Sequence, residues 1–243
     1  MSRVSYLWSL LKSAARKGET DEANKLALVE HVTANAPRGD VDAAIKLIDE
    51  FGSRRAFLMN IGDEKGVLLD ESVRRARPKT AVELGAFCGY SGLRIARSSP
   101  EGSRLYSIEM NPFNAEVATR IWEHAGVADR VTAVVGTVDD GKTLGRLAAE
   151  FAVGPGSVDF LFIDHHQPCY LPDLLLLLDA GLLRRGAVVL ADNVGFPGSP
   201  KYRKHMREHE GADWRTVEHK THLEYQSFVP DLVLESTYLG AKA

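Results

Sequence analysis

Short apolar runs alternate with helical patterns from Pro78 almost to the end of the chain. The runs are "TAVELG", "RLYSIE", "VTAVVG", "VDFLFIDH" and "GAVVLADNV", and a segment with helical spacing separates each from the next. Strands that are apolar on both faces and separated by helices form a parallel sheet covered by helices on both sides. The alternation therefore predicts an α/β protein built on one mostly parallel sheet.

The two ends of the chain depart from this pattern. "HLEYQSF" and "DLVLESTYLG" lie only a few residues apart, which favours an antiparallel pair at the sheet edge. Before Pro78 there is little strand signal, and apolar residues recur at helical spacing, which predicts three or four helices. We expect residues 1–77 to form a helical cap packed on a core of residues 78–243, the two making one structural domain.

Charge and cysteine content exclude several classes of protein. The 30 basic and 33 acidic residues leave a net charge of −3, so no strong field indicates nucleic acid or a membrane surface as a partner. The most apolar run, "DLLLLLDAGLL", is shorter than the roughly 20 apolar residues that span a bilayer. Cys88 and Cys169 are too few for a disulfide framework. We expect a soluble cytoplasmic protein, monomeric or homodimeric, that acts on a small molecule.

A glycine-containing turn follows the first strand, in "VELGAFCGYSG". Ligands of open α/β sheets bind beyond the carboxyl ends of the strands, and Gly85 and Gly89 allow a close approach of the backbone. The spacing is not the G-x-G-x-x-G of dinucleotide sites, and a tight strand-to-helix turn explains it equally well. Glu109, 20 residues after Gly89, stands where an acid accepts hydrogen bonds from ribose. Glu83, just before the turn, would repel a pyrophosphate but suits a cationic ligand, which favours S-adenosylmethionine over NAD.

Oxygen-bearing side chains end the fourth and fifth strands. Asp164 follows one, Asp192 and Asn193 follow the other, and adjacent parallel strands would bring all three to one rim of the sheet. Two carboxylates and an amide oxygen suit Mg²⁺, although ordinary capping acids are an equal alternative. His165 and His166 point to opposite faces as neighbours on a strand, which disfavours a shared transition metal.

Taken together, these motifs resemble the catechol O-methyltransferases. The resemblance runs through "MNIGDEKG", "VELGAFCGYSG", "SIEMNP", "FIDH", "YLPD", "GLLRRGAVVLADNV", "PGSP" and "LEY", in the same order, over roughly Ala43 to Gly240. It implies a Rossmann-like class I methyltransferase fold, with a mostly parallel seven-stranded sheet whose last strand is antiparallel. It also implies S-adenosylmethionine and Mg²⁺ as cofactors and a catechol-like substrate.

The resemblance also assigns roles to single residues. The residues implied at the methionine end of the cofactor are Met59, Ile61, Glu83, Gly85, Phe87, Tyr90 and Ser91. Those implied along the rest of the cofactor are Glu109, Met110, Asp139, Asp164 and His165. The implied metal ligands are Asp164, Asp192 and Asn193. The implied substrate residues are Phe57, Asn193, Pro197 and Glu224, of which Glu224 would accept a hydrogen bond from the second catechol hydroxyl.

One catalytic position departs from the family. Three residues after the first metal aspartate the family usually has a lysine that acts as general base, and this chain has Gln167, whose amide cannot accept the proton. His166 could serve instead if its ring turns toward the substrate. Alternatively, a bound Mg²⁺ acidifies the phenol enough for solvent to take the proton. The third reading is a substrate other than catechol, or a protein that binds S-adenosylmethionine with little turnover.

The predicted function is thus S-adenosylmethionine- and Mg²⁺-dependent O-methyl transfer, with His166, Gln167 and Glu224 as the candidate catalytic residues. An NAD-dependent oxidoreductase is the remote alternative, opposed by Glu83 and by the incomplete dinucleotide motif.

Overall fold

The computed structural model describes residues 18–56 and 58–240. The helical pattern of Leu7 to Ala14, Phe57, and the side chains of Phe196 and Pro197 lie outside the described part. Three helices precede the sheet: α1 (Gly18–Asn35), α2 (Val41–Arg54) and α3 (Gly62–Ala76). The carboxylate of Asp40 accepts a 2.9 Å hydrogen bond from the backbone amide of Ala43, so Asp40 caps the start of α2.

Seven strands and five more helices follow in the predicted alternation. The strands are β1 (Thr80–Leu84), β2 (Arg104–Glu109), β3 (Val131–Val135), β4 (Val158–Ile163), β5 (Leu183–Ala191), β6 (Trp214–Leu223) and β7 (Gln226–Tyr238). The helices are α4 (Tyr90–Ser98), α5 (Pro112–His124), α6 (Thr143–Phe151), α7 (Tyr170–Asp179) and α8 (Pro200–Glu208). A single 3₁₀ turn, Gln167–Cys169, links β4 to α7.

The strands form one sheet in the order β3-β2-β1-β4-β5-β7-β6. All pairings from β3 to β5 are parallel, and β7 runs antiparallel to both β5 and β6. The predicted mostly parallel seven-stranded sheet with an antiparallel last strand is confirmed. The chain order reverses between β1 and β4, which is where an open α/β sheet binds its ligands.

The cap helices share a core with one face of the sheet. Leu28 of α1, Ile48 of α2 and Leu69 of α3 are completely buried and belong to the same apolar cluster as Phe160 and Phe162 of β4. Burying a side chain of this size contributes about 1.5–3 kcal/mol, so these contacts hold the cap against this face of the sheet. No helix in the described ranges is both long and apolar enough to cross a membrane.

The sheet register sets the positions of the candidate site residues. Leu84 of β1 pairs with Ile163 of β4, and Ile163 pairs with Ala191 of β5. The residues that follow these three strands are therefore neighbours along one rim. The glycine turn, Asp164 and Asp192 occupy that rim in this order.

Candidate active site

The turn between β1 and α4 depends on its two glycines. Gly85 has φ +98°, and a Cβ there would lie 2.6 Å from the carbonyl oxygen of Asp164. Gly89 has φ +83°, and a Cβ there would lie 2.7 Å from Nε1 of Trp122. Side chains rarely adopt such backbone angles, so glycine is required both by the turn and by the close approach of its neighbours. The turn thereby lies directly against the end of β4.

Glu83 lies beneath this turn and is fully buried. Its carboxylate accepts hydrogen bonds from the hydroxyls of Ser91 and, at 2.5 Å, of Ser107. Burial raises the pKa of Glu83 to about 7, and the two serine hydrogen bonds only partly oppose this rise. Glu83, the predicted partner of a cationic ligand, thus lies behind Ser91, and its ionised form would place a negative charge beneath the turn.

Glu109, the acid at the end of β2, supports the same turn. Oε2 accepts hydrogen bonds from the backbone amides of Ala86 and Phe87, at 3.1 and 3.0 Å, and Oε1 accepts one of 2.9 Å from Asn111. Phe87 has φ +46°, a strained value for a residue with a side chain, and the hydrogen bond to its amide helps to hold it. Glu109 therefore shapes the glycine turn in addition to standing where a ribose is expected.

The other predicted cofactor residues divide into exposed and buried groups. The side chains of Met59 and Met110 are 61% and 72% exposed. Ile61 and Tyr90 are buried, and the hydroxyl of Tyr90 donates a 2.6 Å hydrogen bond to Asp49 of α2. Tyr90 therefore contacts the cap through its hydroxyl.

Two further predicted cofactor residues follow β4 and β3, and of these His165 lies against Gly85 of the turn. Nε2 of His165 lies 2.8 Å from a carboxylate oxygen of Asp173, and the imidazole ring stacks on Tyr170 with centroids 5.1 Å apart. Asp139 is exposed and accepts a 2.7 Å hydrogen bond from the hydroxyl of Thr137. The ring plane of His165 is therefore fixed, whereas the carboxylate of Asp139 is open to solvent.

The predicted metal ligands come together at the ends of β4 and β5. The amide of Asp192 donates a 3.0 Å hydrogen bond to the carbonyl of Ile163, which places Asp192 beside Asp164. Asn193 has a left-handed backbone, φ +48°, and its side-chain nitrogen donates to Glu224 at 2.9 Å and to Asp231 at 2.8 Å. The amide oxygen of Asn193, the end that binds cations, is thus opposite to these two hydrogen bonds.

Lys65 of α3 reaches into this group of acids. Its ammonium lies 2.8 Å from Asp192, 2.7 Å from Glu224 and 2.9 Å from Asp231, and the side chain is 1% exposed. Burial alone would lower the pKa of Lys65, but the charges of the three carboxylates outweigh it and raise the pKa above its ordinary value. The three carboxylates therefore favour the protonated form of Lys65, and an ammonium group cannot accept a proton from a substrate.

The acid cluster, defined as Asp164, Asp192, Glu224 and Asp231, carries more negative charge than Lys65 neutralises. Burial and the charge of Asp192 raise the pKa of Asp164 well above its ordinary value. Burial also raises the pKa of Asp192 to about 7, against the opposing charge of Lys65. Three of the four carboxylates contact the Lys65 ammonium, and Asp164 lies beside Asp192, so one positive charge is shared among four acids. Such a set of hard oxygen donors fits a divalent cation such as Mg²⁺, whose charge would favour the ionised acids.

Gln167, which stands where the family usually has a lysine, follows Asp164 in the 3₁₀ turn after β4. The carbonyl of Gln167 accepts a 3.0 Å hydrogen bond from the hydroxyl of Ser199, and the side chain of His166 is exposed. Of the predicted substrate residues, Glu224 and Asn193 belong to the cluster just described. Phe57 and the side chain of Pro197 remain predictions, because they lie outside the described part of the structure.

Sequence reasoning missed three polar residues of the site: Lys65, Asp231 and Asp49. Lys65 lies inside the motif "MNIGDEKG", but a lysine on an amphipathic helix is ordinarily solvated. Asp231 is the first residue of "DLVLESTYLG", and an acid directly before an apolar strand was the one sequence feature that could have indicated it. Asp49 offered none, since its partners Tyr90 and Tyr225 are 41 and 176 residues away along the chain.

Comparison with known proteins agrees with this geometry. A family model described as O-methyltransferase matches residues 41–212. A probable O-methyltransferase of Mycobacterium tuberculosis is 51% identical over 231 residues, covering 95% of this chain and 98% of the relative. Catechol O-methyltransferase B of Danio rerio is 37% identical over 238 residues, covering 98% of this chain and 88% of the relative.

Solved structures share the fold at lower identity. An O-methyltransferase of Bacillus cereus in complex with SAH superposes with a TM-score of 0.66 at 20% identity, covering 87% of this chain and 97% of the other. The O-methyltransferase TomG of Streptomyces achromogenes, in complex with SAM, gives a TM-score of 0.65 at 23% identity, covering 81% of this chain and 90% of the other. The predicted class I methyltransferase fold and the resemblance to the catechol O-methyltransferases are confirmed, and the chain belongs to the O-methyltransferase family.

Proposed function

We propose that this protein transfers a methyl group from S-adenosylmethionine to one hydroxyl of a catechol-like small molecule, with Mg²⁺ bound at the acid cluster. The observation that carries the proposal is the arrangement on one rim of the sheet. The glycine turn lies against Asp164, Asp164 lies beside Asp192, and Asn193 is hydrogen-bonded to Glu224. The catechol O-methyltransferases among the relatives support the choice of substrate class.

S-adenosylmethionine, when bound, supplies an electrophilic methyl group on a positively charged sulfonium. The residues of the turn suit such a ligand because Glu83 places negative charge beneath it and the glycines leave room for a close approach. Glu109 would hold the ribose while keeping the turn in shape. Met59 and Met110 would cover the ligand with apolar surface.

Mg²⁺, when bound, supplies positive charge that favours the ionised form of a phenol. Asp164, Asp192 and Asn193 would hold it. Glu224 would accept a hydrogen bond from the neighbouring hydroxyl and so orient the ring, and Lys65 and Asn193 fix the Glu224 carboxylate for this task. Orientation of two reactants alone can lower a barrier by about 7–11 kcal/mol.

The transfer forms a carbon–oxygen bond as the carbon–sulfur bond breaks, and the sulfonium becomes a thioether. The hydroxyl proton must leave the substrate. Neither Gln167 nor the protonated Lys65 can accept it, and the exposed ring of His166 makes no hydrogen bond to the acid cluster, so we assign the proton to water at the open edge of the site.

The test is methyl transfer to 3,4-dihydroxybenzoate, followed by mass spectrometry, with Mg²⁺ and with excess EDTA. We expect one added methyl group with Mg²⁺, at least a hundredfold less with EDTA, and no product from 3-hydroxybenzoate, which lacks the second hydroxyl. Asp192→Asn is the matched variant and should reproduce the EDTA result. Binding of S-adenosylmethionine by calorimetry without methylated product would instead indicate a binding protein, and methylation unaffected by EDTA would overturn the Mg²⁺ assignment.

A further inference from the structure

Lys65 occupies a position that resembles a cation site. Three carboxylate oxygens, one each from Asp192, Glu224 and Asp231, lie within 4.8 Å of one another, and the Lys65 ammonium lies 2.7 to 2.9 Å from each residue. Converging carboxylate oxygens are the ligands of hard divalent cations. In this chain the ammonium of Lys65, on α3, occupies the position where such a cation would bind.

Asn193 is hydrogen-bonded to two of the same residues. Its side-chain nitrogen donates to Glu224 Oε1 and Asp231 Oδ2, the atoms that also contact the Lys65 ammonium. These two carboxylate oxygens therefore fix which end of the Asn193 amide faces them. The amide oxygen remains directed elsewhere, where it can serve as a ligand.

The buried position of Lys65 depends on two glycines of α3 that lie against Glu224 and Arg94. Gly62, three residues earlier, lies so close to Glu224 that a Cβ would be 3.3 Å from its Cα. Gly66, the next residue, leaves room for the Arg94 guanidinium, which a Cβ would approach to 2.4 Å. Helix α3 is thus pressed against the site, and its lysine enters without exposing the stem to solvent.

We propose that Lys65 is a positioning residue that fills a second cation position in the acid cluster and, through Glu224 and Asp231, orients Asn193. The divalent ion at Asp164, Asp192 and Asn193 rests on the proposed function, whereas the cation position at Asp192, Glu224 and Asp231 does not. With Lys65 in place, the acid cluster therefore binds one divalent cation. Without Lys65, the same acids would bind a second divalent cation at Asp192, Glu224 and Asp231.

The test removes the ammonium and supplies it again from solution. In Lys65→Ala, three carboxylates lose their shared partner, and the melting temperature should fall by roughly 10 °C. n-Propylammonium matches the deleted atoms and should raise the melting temperature of this variant in a saturable way. n-Propanol, which has the same shape without the charge, should not.

The second measurement counts bound Mn²⁺ by electron paramagnetic resonance. We expect Lys65→Ala to bind one more Mn²⁺ per chain than the wild-type protein, and n-propylammonium to displace that additional ion. Arg94→Ala is the matched control, because it also removes a buried cation, here paired with Asp70 at 2.7 Å, and should leave the Mn²⁺ count unchanged. A lysine that merely stabilised the fold would behave as Arg94 does.

The outcomes separate this inference from the proposed function. One Mn²⁺ in both proteins, with equal responses to the amine and the alcohol, overturns the role of Lys65 and leaves the proposed function standing. No Mn²⁺ in the wild-type protein and one in Lys65→Ala supports the role of Lys65 and overturns the Mg²⁺ assignment. Should Lys65→Ala fail to fold, Lys65→Ala with Asp231→Asn lowers the repulsion, and the same preference for the amine over the alcohol decides the question.

Discussion

The carboxylate of Asp49, on cap helix α2, accepts a 2.6 Å hydrogen bond from the hydroxyl of Tyr90, the first residue of α4 after the glycine turn. The same oxygen accepts a 3.1 Å hydrogen bond from Tyr225, which follows Glu224 directly. Tyr225 has φ +54°, and its ring packs where a side chain on Gly52 of α2 would stand. One cap residue therefore ties together the cofactor turn and the carboxylate predicted to orient the substrate.

Replacing Asp49 should weaken both the fold and the site. In Asp49→Ala two tyrosine hydroxyls lose their acceptor, and we expect the free energy of unfolding to fall by about 1–3 kcal/mol. Urea unfolding measures this loss, and calorimetry should show weaker binding of S-adenosylmethionine because Tyr90 loses its anchor. Asp42→Ala removes an exposed partner of Arg97 from the same helix and should cost less than about 1 kcal/mol. Equal losses in the two variants would contradict the coupling.

Glu83 should make the protein less stable as the pH rises. Its pKa is about 7 in the folded protein, against an ordinary value of 4.5, so the folded state holds this proton over a range where the unfolded chain has released it. Stability from this group therefore falls between about pH 4.5 and pH 7 and stays low above that range.

Glu83→Gln should remove that part of the pH dependence. The amide keeps hydrogen bonds with Ser91 and Ser107 and carries no charge. The free energy of unfolding of the variant, measured relative to wild type, should therefore be up to about 3 kcal/mol higher at pH 8 than at pH 4. The measurement is urea unfolding at several pH values from 4 to 8. Parallel curves for variant and wild type would show that Glu83 does not titrate in this range.

The close contact of Gly85 with Asp164 predicts a sharp response to one methyl group. In Gly85→Ala the new Cβ would lie 2.6 Å from the Asp164 carbonyl oxygen, and the backbone there is left-handed. We expect the free energy of unfolding to fall by about 1–3 kcal/mol or more, and S-adenosylmethionine to bind weakly. Gly145→Ala is the matched control. Gly145 lies inside α6, and no atom lies within 4 Å of the new Cβ. Alanine there should raise the free energy of unfolding by about 0.5–1 kcal/mol. Thermal unfolding of the two variants should show shifts of opposite sign.

Restoring a base at position 167 should speed the reaction. Gln167→Lys introduces the family's general base, and we expect kcat near pH 7 to rise by roughly tenfold or more. The exposed ring of His166 makes no hydrogen bond to the acid cluster, so His166→Ala should change kcat by less than about twofold. Initial rates on 3,4-dihydroxybenzoate from pH 6 to 9 measure both variants. A large loss in His166→Ala, with the acidic limb of the pH profile abolished, would establish the histidine as the base instead.

Much of the site could be predicted because its residues follow local rules. The apolar runs located the strands, and acids at the ends of adjacent parallel strands had to share a rim, which placed Asp164 and Asp192 together. The tight turn needed Gly85 and Gly89 whatever the ligand. The family resemblance then added Glu224, which no periodicity would have identified.

The sequence by itself determined the sheet, the glycine turn and the aspartates at the ends of β4 and β5, because period, turn chemistry and strand order act over short stretches of chain. Only the tertiary structure decided what surrounds them. Lys65 contacts Glu224, 159 residues away along the chain, and Asp231, 166 residues away. A lysine side chain is buried only where several carboxylates offset the cost of removing its charge from water. Lys65 does not supply the base that is missing at Gln167, because the three acids that draw Lys65 inward also raise its pKa and favour its protonated form.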